Sequence, residues 1–345
     1  MESIFMYFII AAAISLFATP LARKVALKVG AIDIPKDDRR VHNQPTPLMG
    51  GLAIYIAFIL CCFIFLPMNK TFLSIIIGGT LILISGIIDD IKDLSPKGKL
   101  LFQIAASAVL ILGDVKIDVI TNPFINSNSV IRLNGLSIPI TIFWVVGVTN
   151  TLNLIDGLDG LAAGISTIAS LTFVFVAREL NYIPIMIISA IAAGASFGFL
   201  SYNFHPAKIF MGDTGALFLG FILAAISIEG VMKSVATIAV IVPLIILGLP
   251  IFDTTCAIFR RFLNGKSIAE ADKGHLHHKL LERGYSQQKT VLILYGISVV
   301  FSLIAILVSK VNSQRAVIFS LSVFIVAIIL AAKMGLISSK GEDKE

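Results

Sequence analysis

Long apolar runs alternate with short polar stretches along the chain. The runs approach the roughly 17–25 residues that cross a hydrocarbon core. Eleven of them predict eleven membrane-spanning helices, at roughly 3–21, 48–67, 71–88, 100–113, 136–150, 160–177, 183–200, 214–230, 234–252, 290–309 and 316–332, the run ending near Gly113 being short. An amide without a hydrogen-bond partner costs several kcal/mol in lipid, so spanning segments close their hydrogen bonds internally as helices. The segment Asp114–Ser137 breaks the pattern, mixing Val, Ile and Thr with Asn and Gly, and predicts a short hairpin or cap. No repeat, low-complexity tract or second domain is evident. The expectation is an all-α polytopic membrane protein forming one domain over 1–345, with polar loops at 22–47, 89–99, 151–159, 201–213 and 253–289 and a cap at 114–135.

Composition agrees with the pattern. Hydrophobic residues make up 57% of the 345 and charged residues 14%, against about 25% charged in a soluble domain. The start, Met1-Glu2, is acidic, and the first basic residues, Arg23 and Lys24, follow the first apolar run, so no cleavable signal peptide is expected. Cys61, Cys62 and Cys256 lie in or beside apolar runs and read as small packing residues. With the N-terminus outside, 20 of the 27 Lys and Arg fall on the inner side, as the positive-inside rule requires. The C-terminus is then cytoplasmic. The same orientation places all five histidines and 16 of the 21 acids inside. The net charge of +6 suits an anionic inner leaflet, and no nucleic-acid module is present.

The polar residues that close the apolar runs carry the candidate chemistry. A carboxylate at the mouth of a spanning helix costs free energy unless it has a partner or a job. Asp89 and Asp90 end one run, followed by Asp93, Lys97 and Lys99. Adjacent carboxylates suit metal binding or proton transfer, and the lysines suit phosphate; a solvated helix end explains the same residues more plainly. In NTLNLIDGLDGLAAG, Asn150, Asn153 and Asp156 step by three, as on one helical face, and Asp159 continues the series. Amide and carboxylate oxygens are ligands for a hard cation such as Mg²⁺, and Gly157 and Gly160 leave room for a ligand. An N-capping turn is the alternative there. Asp213 stands between glycines in FMGDTG, where Thr214 is placed to cap a helix and Phe210 offers a flat face to a base. Loop one carries Arg39, Arg40 and His42 before a Pro-Gly turn. The last large inner loop carries Asp253, Arg260, Arg261, His275, His277 and His278. It lacks HExxH and CxxC, so these groups read as phosphate partners or as a polar surface helix rather than a zinc site.

Taken together and in this order, Asp89-Asp90, NxxNxxDGxDG, FMGDTG and HxHH resemble the polyprenyl-phosphate N-acetylhexosamine-1-phosphate transferase family over nearly the whole chain. Within it the chain looks most like the bacterial undecaprenyl-phosphate N-acetylglucosamine-1-phosphate transferases. The related phospho-MurNAc-pentapeptide transferases of peptidoglycan synthesis typically have three consecutive histidines, where Leu276 intervenes here. The resemblance implies transfer of N-acetylglucosamine 1-phosphate from UDP-GlcNAc to undecaprenyl phosphate with Mg²⁺, or Mn²⁺ as substitute. It implies a bacterial inner-membrane enzyme that starts a cell-envelope glycopolymer such as teichoic acid or lipopolysaccharide, and it allows a homodimer. It assigns Asp213 and Asn153 to the metal. A phosphate monoester is largely ionised at neutral pH, so Asp89 and Asp90 are assigned to orienting the lipid phosphate or accepting its last proton, in preference to forming a covalent Asp-phosphate. Asp156, Asp159, Phe210, Lys97, His42, Arg260, His275, His277 and His278 fall to the substrates, with Asp159 and Phe210 at the uracil. Asp253 has no assigned role. An ion-coupled transporter would carry its acids near mid-span, typically with broken helices or inverted repeats, and a CDP-alcohol phosphotransferase would show DGxxAR where DGLDGL stands.

Overall fold

The computed structural model describes residues 2–34, 45–121, 130–232, 240–265, 274–311 and 313–333. The chain is mostly helical: α1 (Glu2–Val29), α2 (Gly51–Phe65), α3 (Lys70–Lys92), α4 (Pro96–Leu112), α5 (Ser137–Ile155), α6 (Leu161–Glu179), α7 (Ile183–Asn203), α8 (Gly212–Ser227), α9 (Ile241–Ile246), α10 (Gly248–Leu263), α11 (Leu276–Glu282), α12 (Gln287–Val308) and α13 (Ser313–Lys333). Among the described residues, seven helices are long and apolar enough to cross a membrane: α1, α3, α5, α6, α7, α8 with its π-helical continuation to Met232, and α12. The apolar helix α2 is shorter, at 15 residues.

The seven helices of spanning length among the described residues stand against the eleven expected, and two further features depart from the expected pattern. Four short strands are present among those residues, β1 (Ile32–Asp33) pairing antiparallel with β2 (Thr46–Pro47), and β3 (Val119–Thr121) with β4 (Val130–Arg132). The second pair is the hairpin expected within the cap. The run expected to span 234–252 is, in its described part, not one helix. Leu247 (φ −92°, ψ 18°) separates α9 from α10, and α10 continues to Leu263. Pro250 lacks the N–H that would bond back across this junction, so the chain breaks at Leu247 and Asp253 lies inside α10 rather than at a span end.

The helix α8 is the axis of the molecule, its apolar window wholly buried. Lipid tails offer no hydrophobic contrast between helices, so membrane bundles pack through small residues. A Cβ at Gly86 of α3 would meet the backbone of Asp213 and Thr214, and one at Gly51 of α2 would meet Gly215. These glycines let α2 and α3 lie against the first turn of α8. Backbone bonds add to the contact: Gly50 N–H donates to Phe210 O (2.9 Å), Gly51 N–H to Met211 O (3.0 Å) and Phe210 N–H to Pro47 O (2.8 Å). Ser95 caps α4, its hydroxyl accepting the Gly98 N–H at 3.3 Å, with Pro96 in the first turn. This cap reverses the chain sharply after α3 and returns Lys99 towards Asp89.

Candidate active site

The C-terminal ends of α1, α3, α5 and α7 and the N-terminal ends of α8 and α12 line one cleft of about 510 Å³. Its polar lining includes Asp89, Asp90, Asn153, Asp156, Asp159 and Asp213, and Ile32, Ile34, Leu48 and Ile91 form an apolar flank. Phe210 lines it too.

The centre is a carboxylate cluster. One ligand atom each from Asp89, Asp90 and Asp213 lies within 4.8 Å of the others. Lys99 Nζ stands between two of these acids, 2.8 Å from Asp89 Oδ2 and 2.5 Å from Asp213 Oδ2. Asn153 Nδ2 donates to Asp213 Oδ1 at 2.9 Å. Asp89 Oδ1 accepts the Leu94 N–H at 2.8 Å, which closes the end of α3. Asp90 has different partners: Oδ1 accepts the Asp213 N–H (2.9 Å), and Oδ2 accepts the Thr214 N–H (3.2 Å) and hydroxyl (2.6 Å). The carboxylate that neutralises the positive end of α8 therefore comes from α3, and Thr214 donates to it rather than capping the helix itself.

The NTLNLIDGLDG segment is not one helical face. Helix α5 ends at Ile155, and Asp156 (φ −76°, ψ 52°) begins a turn that Gly160 (φ +80°) completes in the left-handed region that glycine tolerates. Asn150 turns to α4, where its amide and that of Gln103 exchange two hydrogen bonds (2.8 and 3.2 Å). Asn153 is the amide that faces the carboxylates. The turn is braced on both sides: Gly160 N–H donates to Asn203 Oδ1 at 3.1 Å, and the Tyr295 hydroxyl donates to Gly160 O at 2.5 Å. Asp159 Oδ2 accepts the Ala207 N–H (3.0 Å) and lies 2.8 Å from His205 Nδ1. Asp156 is half-buried. Withdrawal from solvent, then the charges of Asp213, Asp90 and Asp159, push its carboxyl up to about 8. Crowded acids of this kind lower their mutual repulsion when a cation joins them. Hard oxygen donors in such a cluster fit Mg²⁺ or Mn²⁺.

The histidine segment packs beside this turn. A Cβ at Gly157 would meet the His277 ring. The His275 and His277 rings are parallel (7°) with centroids 5.7 Å apart, and His277 lies 4.1 Å from His278. Burial, with His278 adding to it, pushes His277 down to about 3, so this ring is neutral at physiological pH. Its proton affinity is lower in the closed loop than in an opened one. The contribution to closure is therefore complete above about pH 6.5 and is lost as pH falls toward 3, at about 1.4 kcal/mol per unit. Hydrogen-exchange protection of residues 276–282, corrected for intrinsic rates, is expected to fall roughly fivefold between pH 6.5 and 5.5. A His277→Gln protein that shows the same fall would refute this assignment.

Arg260 packs over Gly274. Lys97 is exposed and outside the cleft lining, so Lys99 is the lysine that the fold brings to the acids. Two residues apart on a helix face nearly opposite sides, and only the Ser95-Pro96 reversal decides which faces inward. His42 lies outside the described residues. Asn203 and Tyr295, which hold Gly160, carry no sequence signal of their own.

A bundle of apolar helices whose ends gather acids, a lysine and an aromatic ring in one cleft has the form of a multi-pass membrane protein with a polar site. Residues 72–231 match the model of glycosyl transferase family 4. Full-length similarity is broader. The chain is 40% identical over 336 residues to the probable undecaprenyl-phosphate N-acetylglucosaminyl 1-phosphate transferase of Bacillus subtilis (strain 168), covering 96% of this chain and 92% of that protein. It is 35% identical over 313 residues to the decaprenyl-phosphate N-acetylglucosaminephosphotransferase of Mycobacterium tuberculosis (strain ATCC 25618 / H37Rv), covering 83% and 77%. It is 33% identical over 318 residues to the phospho-N-acetylmuramoyl-pentapeptide-transferase of Halalkalibacterium halodurans, covering 87% and 94%. The chain belongs to glycosyl transferase family 4, among the polyprenyl-phosphate N-acetylhexosamine-1-phosphate transferases, and is a phosphotransferase.

Proposed function

We propose that this chain transfers N-acetylglucosamine 1-phosphate from UDP-GlcNAc to undecaprenyl phosphate, with Mg²⁺, giving undecaprenyl-diphospho-GlcNAc and UMP, and so starts a cell-envelope glycopolymer. The observation that carries the reading is one cleft holding the Asp89–Asp90–Asp213 cluster, the Asp156–Asp159 turn and Phe210 beside an apolar flank. Its volume of about 510 Å³ suits a nucleotide sugar, since small-molecule pockets run about 300–1,000 Å³. The apolar flank suits the first isoprenes of an acceptor whose chain stays in lipid. The choice of GlcNAc is supported by the names of the Bacillus and Mycobacterium relatives and by Leu276 within the histidine segment. The membrane is the bacterial cytoplasmic membrane, with the N-terminus outside and the cleft inside, as the distribution of basic residues supports.

In this reading Asp213 and Asn153 hold the divalent cation. Bound there, the cation neutralises the donor diphosphate and polarises the phosphoryl group under attack. An oxygen of the acceptor phosphate forms the new bond to the β-phosphorus, the bond from that phosphorus to the bridging oxygen breaks, and UMP leaves with the electron pair. A phosphate monoester has a second pKa near 6, so the attacking phosphate is mostly a dianion at neutral pH. Asp89 then serves to orient it through Lys99 and to take the proton from the minor monoanion. Asp90, bound to the first amides of α8, fixes Asp213. Asp159 and Phe210 hold the uracil, and Arg260 with the histidine segment holds phosphate or sugar.

Membranes carrying the protein are given undecaprenyl phosphate and labelled UDP-GlcNAc or UDP-MurNAc-pentapeptide. Mg²⁺-dependent label in the organic phase with UMP release, from UDP-GlcNAc alone, is the expected result. Label from the pentapeptide donor instead assigns the chain to peptidoglycan synthesis. Lipid-linked product from neither donor rejects the reading.

A further inference from the structure

Asp253 lies in α10, outside the cleft lining, and no motif assigns it a role. It is buried (5% exposed), as are His275 (5%) and His277 (3%). Both of its oxygens are engaged by the start of the histidine segment. Oδ1 accepts the Leu276 N–H at 2.8 Å, and Oδ2 lies 2.8 Å from His275 Nδ1. His275 occupies the N-cap position of α11 but makes no cap bond with its own side chain. Asp253 supplies that acceptor from another helix.

We propose that Asp253 is a positioning residue that fixes the protonation pattern and ring orientation of His275, and through it the seating of His275–His278 against the Asp156–Gly157 turn. This rests on the transferase reading above. A carboxylate oxygen facing Nδ1 requires the proton on that nitrogen. The other ring nitrogen is left as the acceptor of the neutral imidazole or as the donor of an imidazolium, whose charge the same carboxylate balances. The effect passes on by contact. The His275 ring lies parallel to that of His277, and His277 rests on Gly157, next to Asp156. Helix α10 thus sets the histidine segment against the active-site turn. A carboxylate that orients a metal-bound histidine typically changes function 10–100-fold when lost, and a loss of the same order is expected for a histidine that meets phosphate or sugar.

The discriminating variant is Asp253→Asn. An amide has one oxygen where Asp253 uses two acceptors. The Leu276 N–H is a fixed donor, whereas an imidazole can move its proton, so the amide oxygen stays with Leu276. The amide NH₂ then donates to Nδ1, which favours the tautomer with the ring proton on Nε2. A purely structural cap survives this change; control of the histidine does not. We expect Asp253→Asn to keep the Tm of the wild type while kcat/KM for UDP-GlcNAc falls 10–100-fold, as in Asp253→Ala. In a His275→Ala background, Asp253→Asn should cause no further loss. Solid-state ¹⁵N NMR of histidine-labelled protein, with His275 identified by its loss in His275→Gln, reads the proton without any assay. The wild type should carry it on Nδ1 and Asp253→Asn on Nε2. Unchanged His275 signals, near-wild-type turnover in Asp253→Asn, or a full additional loss in the His275→Ala background would each overturn the proposal. If the wild type makes no GlcNAc-linked lipid but the NMR signals shift as described, the transferase reading fails and the orientation of His275 by Asp253 stands.

Discussion

Asp213→Asn lowers kcat by about 10³-fold or more, with the fold intact. Asp213 sits in the first turn of the buried axis helix, its Oδ1 held by Asn153 and its Oδ2 by Lys99. The substitution keeps the volume and the backbone bond to Asp90 but removes the negative charge. A bound cation contributes several kcal/mol to the charge developing in phosphoryl transfer, and each 1.36 kcal/mol is tenfold in rate. The folding cost is smaller, because an acid in the first turn of a helix contributes about 0.3–1 kcal/mol. Asp90→Asn should show the reverse balance: it leaves one acceptor oxygen, and sets an NH₂ donor beside it, where two amides and a hydroxyl now share two oxygens, so its Tm falls more than that of Asp213→Asn. Detergent-solubilised protein is compared by thermal unfolding and by turnover per folded molecule. Wild-type turnover per folded Asp213→Asn molecule would mean that Asp213 is only a helix-start residue.

That contrast marks what the sequence makes legible. The acids announce themselves by energy: a carboxylate ending an apolar run needs a reason, and five of the cleft's acids could be read that way. Their division of labour could not. Asp89 and Asp90 are neighbours in sequence and in the cluster yet have different partners, because adjacent helical positions are about 100° apart. One meets Lys99 and the other the amides of α8. Asn150 and Asn153 keep a helical spacing, but only Asn153 reaches Asp213, since Gln103 of α4 claims Asn150. The helical, apolar character of the chain was legible for the same reason as the acids, hydrocarbon being an unforgiving solvent. The number of spans was not, since seven helices among the described residues are long and apolar enough to cross where eleven were expected. The break at Leu247 was not, because Pro243 and Pro250 are tolerated in membrane helices when neighbours satisfy the freed groups. Lys99 shows the limit most plainly. It differs from Lys97 only by which side of α4 it occupies, and that depends on a cap at Ser95.

Lys99→Met is expected to make the protein's stability depend on a divalent cation. Without metal, the Lys99 ammonium is the positive charge between Asp89 and Asp213. Removing one member of a fully buried ion pair costs about 3–5 kcal/mol. Lys99 retains 24% of its side-chain exposure, so water screens part of the loss and about 2 kcal/mol is expected. Methionine keeps most of the stem and its packing, so the loss reports charge. In EDTA the variant should unfold well below the wild type. Saturating Mg²⁺ should recover most of the difference, because a cation at the same carboxylates replaces the missing charge and binds only the folded form. The Mg²⁺-induced rise in Tm is therefore larger in Lys99→Met than in the wild type, where the cation must share the acids with an ammonium. Turnover falls about 10²-fold even at saturating Mg²⁺, since the lysine then no longer meets the phosphates. Equal Tm values in EDTA, or a Mg²⁺ shift no larger than that of the wild type, would show that the ammonium and the cation do not compete for one place.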